Sequence, residues 1–223
     1  GGSNGGRALH VHASGSGSGR VGQVLFSAHR AVIGDLVGVL VHPNDEAVAE
    51  AARAFGNLSR DTQIRRFMAG SRADEALVML LDHNSRDVVF AVAGALVNIA
   101  ADPECKEVLL DEDLQGCDKL VSVVRRAGLR DLPMAAVGCK ALYNLLLDLN
   151  SPNGPPMMAV EDETLGMLYT SLDELLDATE GGGGDGYQDL LAAGGALHNL
   201  LGHFLASQTQ TLNNYEDLGE EKN

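Results

Sequence analysis

Four segments of this sequence follow one template, and each is anchored on an asparagine: Asn57, Asn98, Asn144 and Asn199. The separations are 41, 46 and 55 residues. Three residues before each Asn stands an alanine: Ala54, Ala95, Ala141, Ala196. Two before stand Phe55, Leu96, Leu142 and Leu197, and one after stand Leu58, Ile99, Leu145 and Leu200. Five before come Ala52, Ala93, Cys139 and Gly194, and nine before come Val48, Val89, Ala135 and Leu190. These offsets fall on one stripe of a 3.6-residue helix, so four copies of one amphipathic helix are expected, over 45–59, 87–101, 133–148 and 188–206. Sustained period-2 alternation is nearly absent, which argues against strands.

A period near 40 residues with several helices per unit is the pattern of HEAT and armadillo repeats. In the second unit a short helix (61–69) and a longer one (72–82) precede the Asn-bearing helix. Three helices per unit favours the armadillo form over the two-helix HEAT form. Each unit buries its stripe only against its neighbours, so the fold expected is all-α, a right-handed armadillo-type alpha solenoid of about four repeats. Breaks of the usual stop residues separate the helices at 42–45, 69–71, 83–85, 102–103, 115–116 and 132–133. Residues 1–22 form a Gly/Ser-rich segment expected to be flexible. Residues 23–206 form the repeat domain, with a Pro-rich loop at 150–160 and a Gly-rich insert at 181–186. Residues 207–223 read as an acidic tail. The chain begins at Gly1 rather than Met, and its first helical segment starts inside a repeat. A piece of a longer protein is therefore expected.

Helical geometry assigns the Asn a place. At about 100° per residue, the apolar offsets −9, −6, −5, −2 and +1 centre roughly 155° from it. The four Asn would line one surface of the solenoid, the kind of surface repeat stacks use to bind extended partners. An amide carries both donors and acceptor, so it can pair with a peptide backbone, or with a neighbouring helix end in its own chain. Four residues before each Asn stand Arg53, Gly94, Lys140 and Gly195. Arg53 and Lys140 would share the Asn face and favour acidic side chains on a partner. The candidate partner-binding residues are Asn57, Asn98, Asn144, Asn199, Arg53 and Lys140.

Composition narrows the function. Net charge is −15 and uneven: residues 1–150 hold 18 acids and 15 bases, residues 151–223 hold 13 acids and one base. That acidic third argues against nucleic acid as a partner. Arg53, Arg60, Arg65, Arg66 and Arg72 could form a local basic patch, though solvated helix-end charges are the favoured reading. No apolar run approaches the roughly 20 residues of a membrane span. Cys105, Cys117 and Cys139 form no C-x-x-C pair and are odd in number, so reduced buried thiols are expected rather than a disulfide framework or zinc site. His10 and His12 lie in the flexible segment and read as solvated. His198 and His203 are five apart and diverge by about 140° on a helix, unlike the i, i+4 metal pair. The Gly181–Gly186 stretch lacks the Lys-Ser/Thr of a phosphate loop, and no strand precedes it. Cys139 falls in a core register. The expectation is a chain without catalytic, cofactor-binding or metal-binding residues and without a small-molecule substrate.

The Asn position resembles the asparagine ladder of armadillo proteins such as importin-α and β-catenin. Importin-α carries Trp four residues before its Asn to sandwich basic peptide side chains. This chain has no Trp, so the import-receptor reading is rejected. The stretches 50–61, 87–98 and 137–144 resemble the armadillo repeat-containing protein 2 family, as does the Leu-Asp-Glu-Leu helix of 164–176. The likeness is strongest over 43–149. The Gly-rich stretches 1–20 and 181–186 depart from that family. The resemblance implies a non-catalytic scaffold or adaptor of motile cilia and flagella, acting in radial spoke assembly or attachment. It further implies axonemal partners and an axonemal location with a cytoplasmic pool. A soluble cytoplasmic armadillo adaptor in trafficking or signalling is the alternative.

Overall fold

A computed structural model of the chain describes residues 17–147, 162–179 and 184–220. Nine α-helices run through them: α1 Gly17–Leu40, α2 Asp45–Leu58, α3 Thr62–Gly70, α4 Ala73–Met79, α5 Arg86–Ala100, α6 Gly116–Ala127, α7 Leu132–Leu146, α8 Asp162–Thr179 and α9 Asp185–Glu220. No strand occurs among the described residues.

The helix boundaries follow from local chemistry. Asn44 caps α2 by accepting from the Ala47 N–H at 3.1 Å, and Asp61 caps α3 by accepting from the N–H groups of Gln63 and Ile64. Asp131 caps α7, with Pro133 in the first turn where its missing N–H costs nothing. Gly128, at φ +47°, closes α6 in a conformation an L side chain resists. At the start of α6 the backbone of Gly116 passes so close to Leu109 that a Cβ would stand 2.8 Å from the Leu109 Cα.

The helices stack as the repeat requires. α2 packs on α5, α5 on α7 and α7 on α9, so the four Asn-bearing helices lie side by side. Every template position two, five and nine before the Asn is buried, including Phe55, Leu96, Leu142 and Leu197. Among the described residues the three-helix unit is complete in the second repeat, α3–α4–α5. In the third, a 3-10 turn at Lys106–Leu110 stands where α3 stands, before α6 and α7. The first repeat is α1–α2 and the fourth α8–α9.

Two boundaries differ from the sequence expectation. α1 starts at Gly17, inside the segment 1–22 expected to be flexible, and α9 runs on to Glu220, through most of the acidic tail set at 207–223. Extending a formed helix adds one hydrogen bond per residue without a new nucleus, so helical order propagates past the apolar pattern. The loop 150–160, residues 181–183 of the insert, and His10 and His12 lie outside the described residues.

Candidate protein-binding face

The Asn-bearing helices present one continuous face, and the structure divides the four asparagines into two kinds. Asn98 and Asn144 are half-buried. The Asn98 Nδ2 donates to the Gly56 carbonyl at 3.0 Å and to the Ser59 Oγ at 3.0 Å. The Asn144 Nδ2 donates to the Val97 carbonyl at 3.0 Å. In each case the acceptor carbonyl belongs to the residue just before the preceding Asn, so these amides tie one repeat to the last. Asn57 and Asn199 are exposed and have no side-chain hydrogen bond among the described residues. Asn57 stands on the first Asn-bearing helix. At Asn199 the rule lapses, although α9 packs on α7.

Behind Asn98 the bonding continues inward. Ser59 donates from Oγ to the Gly56 carbonyl at 3.1 Å, and its own carbonyl accepts from Arg65 at 2.7 Å. Arg65 also pairs with Asp102 at 2.6 Å, their side chains only 13% and 7% exposed. The guanidinium fork therefore joins the end of α2, α3 and the turn after α5 in one satisfied network.

The five clustered arginines do not form a patch. Arg53 pairs with Glu50, Arg65 with Asp102, Arg66 with Glu104 and Arg72 with Glu75. Arg60 is exposed and has no ionic partner among the described residues. Lys140 lies 4.0 Å from Asp189 of α9, both well exposed. Arg53, Asn57 and Arg60 line a groove of 430 Å³ between α2 and α5, floored by Phe90, Gly94 and Val97. No carboxylate, thiol, hydroxyl or imidazole is among its lining residues. Arg60, absent from the residues the repeat singles out, lies two positions past the end of α2, where a helical wheel no longer places it. Its signal was its distance of three residues from Asn57.

The remaining candidate groups are held in packing. Burial pushes the thiols of Cys117 and Cys139 up to about 12, and Cys105 is raised as well, first by burial and then by Asp102. All three cysteines are free and buried. His198 stacks on Tyr169 at 4.3 Å between ring centroids, whereas His203 is exposed, so the two are not brought together. No group of three or more His, Cys, Asp or Glu among the described residues could hold a metal, and no described helix is long and apolar enough to cross a membrane.

A bonded ladder on stacked third helices is the geometry against which known proteins can be compared. A computationally designed armadillo repeat protein for modular peptide recognition superposes with a TM-score of 0.51 at 21% identity, covering 77% of this chain and 66% of that one. The chain has the armadillo solenoid fold. An engineered protein superposes at a TM-score of 0.54 and 21% identity, over 74% of this chain and 37% of the other. Both likenesses speak for the fold. In sequence, this chain is 36% identical over 143 residues to armadillo repeat-containing protein 2 of Homo sapiens, and 32% identical over 141 residues to that of Mus musculus. Each alignment takes in 63% of this chain, and the chain spans 16% of the length of either relative. No family model matches the chain.

Proposed function

We propose that this armadillo chain is a protein-binding scaffold with no catalytic chemistry of its own, working in the motile ciliary axoneme in radial spoke assembly or attachment. The observation that carries the binding role is the groove beside Asn57. It joins an unused backbone-pairing amide, two guanidinium groups and an apolar floor on one face, and holds no group able to act as nucleophile or general acid–base. A designed armadillo protein made for peptide recognition shares the fold, which supports a protein partner. The axonemal placement rests on the resemblance to the armadillo repeat-containing protein 2 family.

The test is a pull-down from axonemal extract with the wild-type chain and with a variant carrying Arg53→Ala, Asn57→Ala, Arg60→Ala and Lys140→Ala. All four side chains are exposed, so helicity should be unchanged. Spoke components should be retained by the wild type and lost from the variant. Equal retention would remove the face from the account. Capture of trafficking or signalling proteins alone would replace the axonemal role with a cytoplasmic adaptor role.

A further inference from the structure

A second cleft, of 220 Å³, opens between the second and third repeats, on the other side of the Arg86–Phe90 contact from the Asn57 groove. Arg86 lines this cleft and Phe90 lines the groove, with the guanidinium carbon 5.1 Å from the ring centroid. The cleft floor is apolar and buried: Val89, Val123, Ala127 and Met134. Its rim is cationic. Asp131 is the one carboxylate among the lining residues, and it is engaged at both oxygens, by Arg86 at 2.6 and 2.9 Å. Arg86 and Asp131 thus cancel.

Two further guanidinium groups are left uncompensated. Arg126 donates to the carbonyls of Leu81 at 3.2 Å and Ser122 at 3.3 Å. Those neutral acceptors fix the group at the lip without cancelling its charge. Arg130 is exposed and has neither ionic nor hydrogen-bond partner among the described residues. On a chain of net charge −15 this is a local reversal of sign. Beyond a Debye length of about 8 Å at physiological salt the acidic remainder is screened, so the nearby arginines dominate what the cleft attracts.

Size selects the class of ligand. A pocket for a free drug-sized molecule starts near roughly 300 Å³, and this one is smaller, about right for one or two side chains. A bare anion would leave the apolar floor uncovered, and a purely apolar group would leave Arg126 and Arg130 unused.

We infer that the cleft docks an acidic–apolar segment of a partner protein, an aliphatic side chain on Val89 and Met134 and a neighbouring carboxylate between Arg126 and Arg130. The site is separate from the Asn57 groove and does not depend on what that groove binds. Charge-assisted bonds to two guanidinium groups supply orientation, and burial of the aliphatic group supplies the rest.

The probe is a fluorescein-labelled peptide of three Leu-Glu repeats, followed by anisotropy at physiological salt. A Ser-Glu peptide of the same length tests the floor. The protein variants are Arg130→Glu, and Arg66→Glu as a control of equal charge change at an exposed pair far along the sequence. Saturable binding of the Leu-Glu peptide is expected, at least tenfold weaker with Arg130→Glu, within twofold of wild type with Arg66→Glu, and at least tenfold weaker for the Ser-Glu peptide. The inference is overturned by the absence of saturable binding, by equal losses in the two variants, or by equal affinity for the two peptides.

Discussion

The side-chain amide of Asn98 reaches back to the Gly56 carbonyl at 3.0 Å, and Asn144 repeats the move onto Val97 at the same distance. In the second and third repeats, the residue that marks the repeat in the sequence is thus also the residue that joins it to the one before. A solenoid is held by such nearest-neighbour terms. An amide spent on the stack has less to offer a partner, which leaves Asn57 as the ladder member in a groove with its donors free.

Asn98→Ala removes a donor shared by Gly56 and Ser59 and leaves the half-buried Gly56 carbonyl and the buried Ser59 hydroxyl short of a partner, so it should cost about 1–3 kcal/mol. Asn57→Ala, exposed and unbonded, should change stability by no more than about 0.5 kcal/mol. Leu96→Ala, at a fully buried core position, sets the upper scale at about 2–5 kcal/mol. Urea melts of the three variants give the order Leu96 first, Asn98 second, Asn57 last. Equal values for the two asparagines would mean that the Gly56 bond contributes nothing.

The glycines separate room for packing from room for a partner. A Cβ at Gly94 meets nothing within 4 Å, whereas one at Gly116 meets the Leu109 backbone at 2.8 Å and one at Gly138 meets Val124 Cγ2 at 2.7 Å. Gly94 sits inside α5, so Gly94→Ala should stabilise the chain by about 0.4–1 kcal/mol through the unfolded state and helix propensity. Gly116→Ala should destabilise it, because backbone cannot yield as a side chain tip can. Calorimetry on the two variants should move Tm in opposite directions, and a fall for Gly94→Ala would show that the open space beside it is not there. Since Gly94 also floors the Asn57 groove, the same stabilised variant should bind the groove's partner more weakly.

The stack itself was legible in the sequence because its cause is local: five apolar offsets around each Asn fix which face is buried, and the structure buries that face four times. The fate of the Asn side chains was not. A helical wheel gives an angle from the core but carries no information on where the neighbouring helix puts its carbonyls, so bonded Asn98 and free Asn57 look identical in sequence. The Arg65–Asp102 pair was hidden for the same reason, its members 37 residues apart and brought together only by the turn after α5. Arg60 was legible as one of five clustered arginines, but its place in the groove was not, because it lies beyond the helix end; the start of α1 was missed because helix propagation does not depend on an apolar stripe.

The cysteines give a test that reads the core directly. Cys139, in the template position five before Asn144, and Cys117 on α6 have thiols raised to about 12 by burial. An unfolded thiol titrates near about 8.5. A group whose folded pKa is raised contributes stability that is fully present below the unfolded value and lost as pH rises toward the folded one, since the unfolded chain releases its proton first. The wild type should therefore lose stability relative to Cys139→Ala between about pH 8.5 and about pH 12. Below that window the difference between them should be flat, set by the cavity the alanine leaves. At neutral pH native Cys117 and Cys139 should resist a disulfide reagent and react at the rate of unfolding. Rapid labelling of the folded chain, or a stability difference that ignores alkaline pH, would place these thiols in water and undo the core register that the Asn template assigns to Cys139.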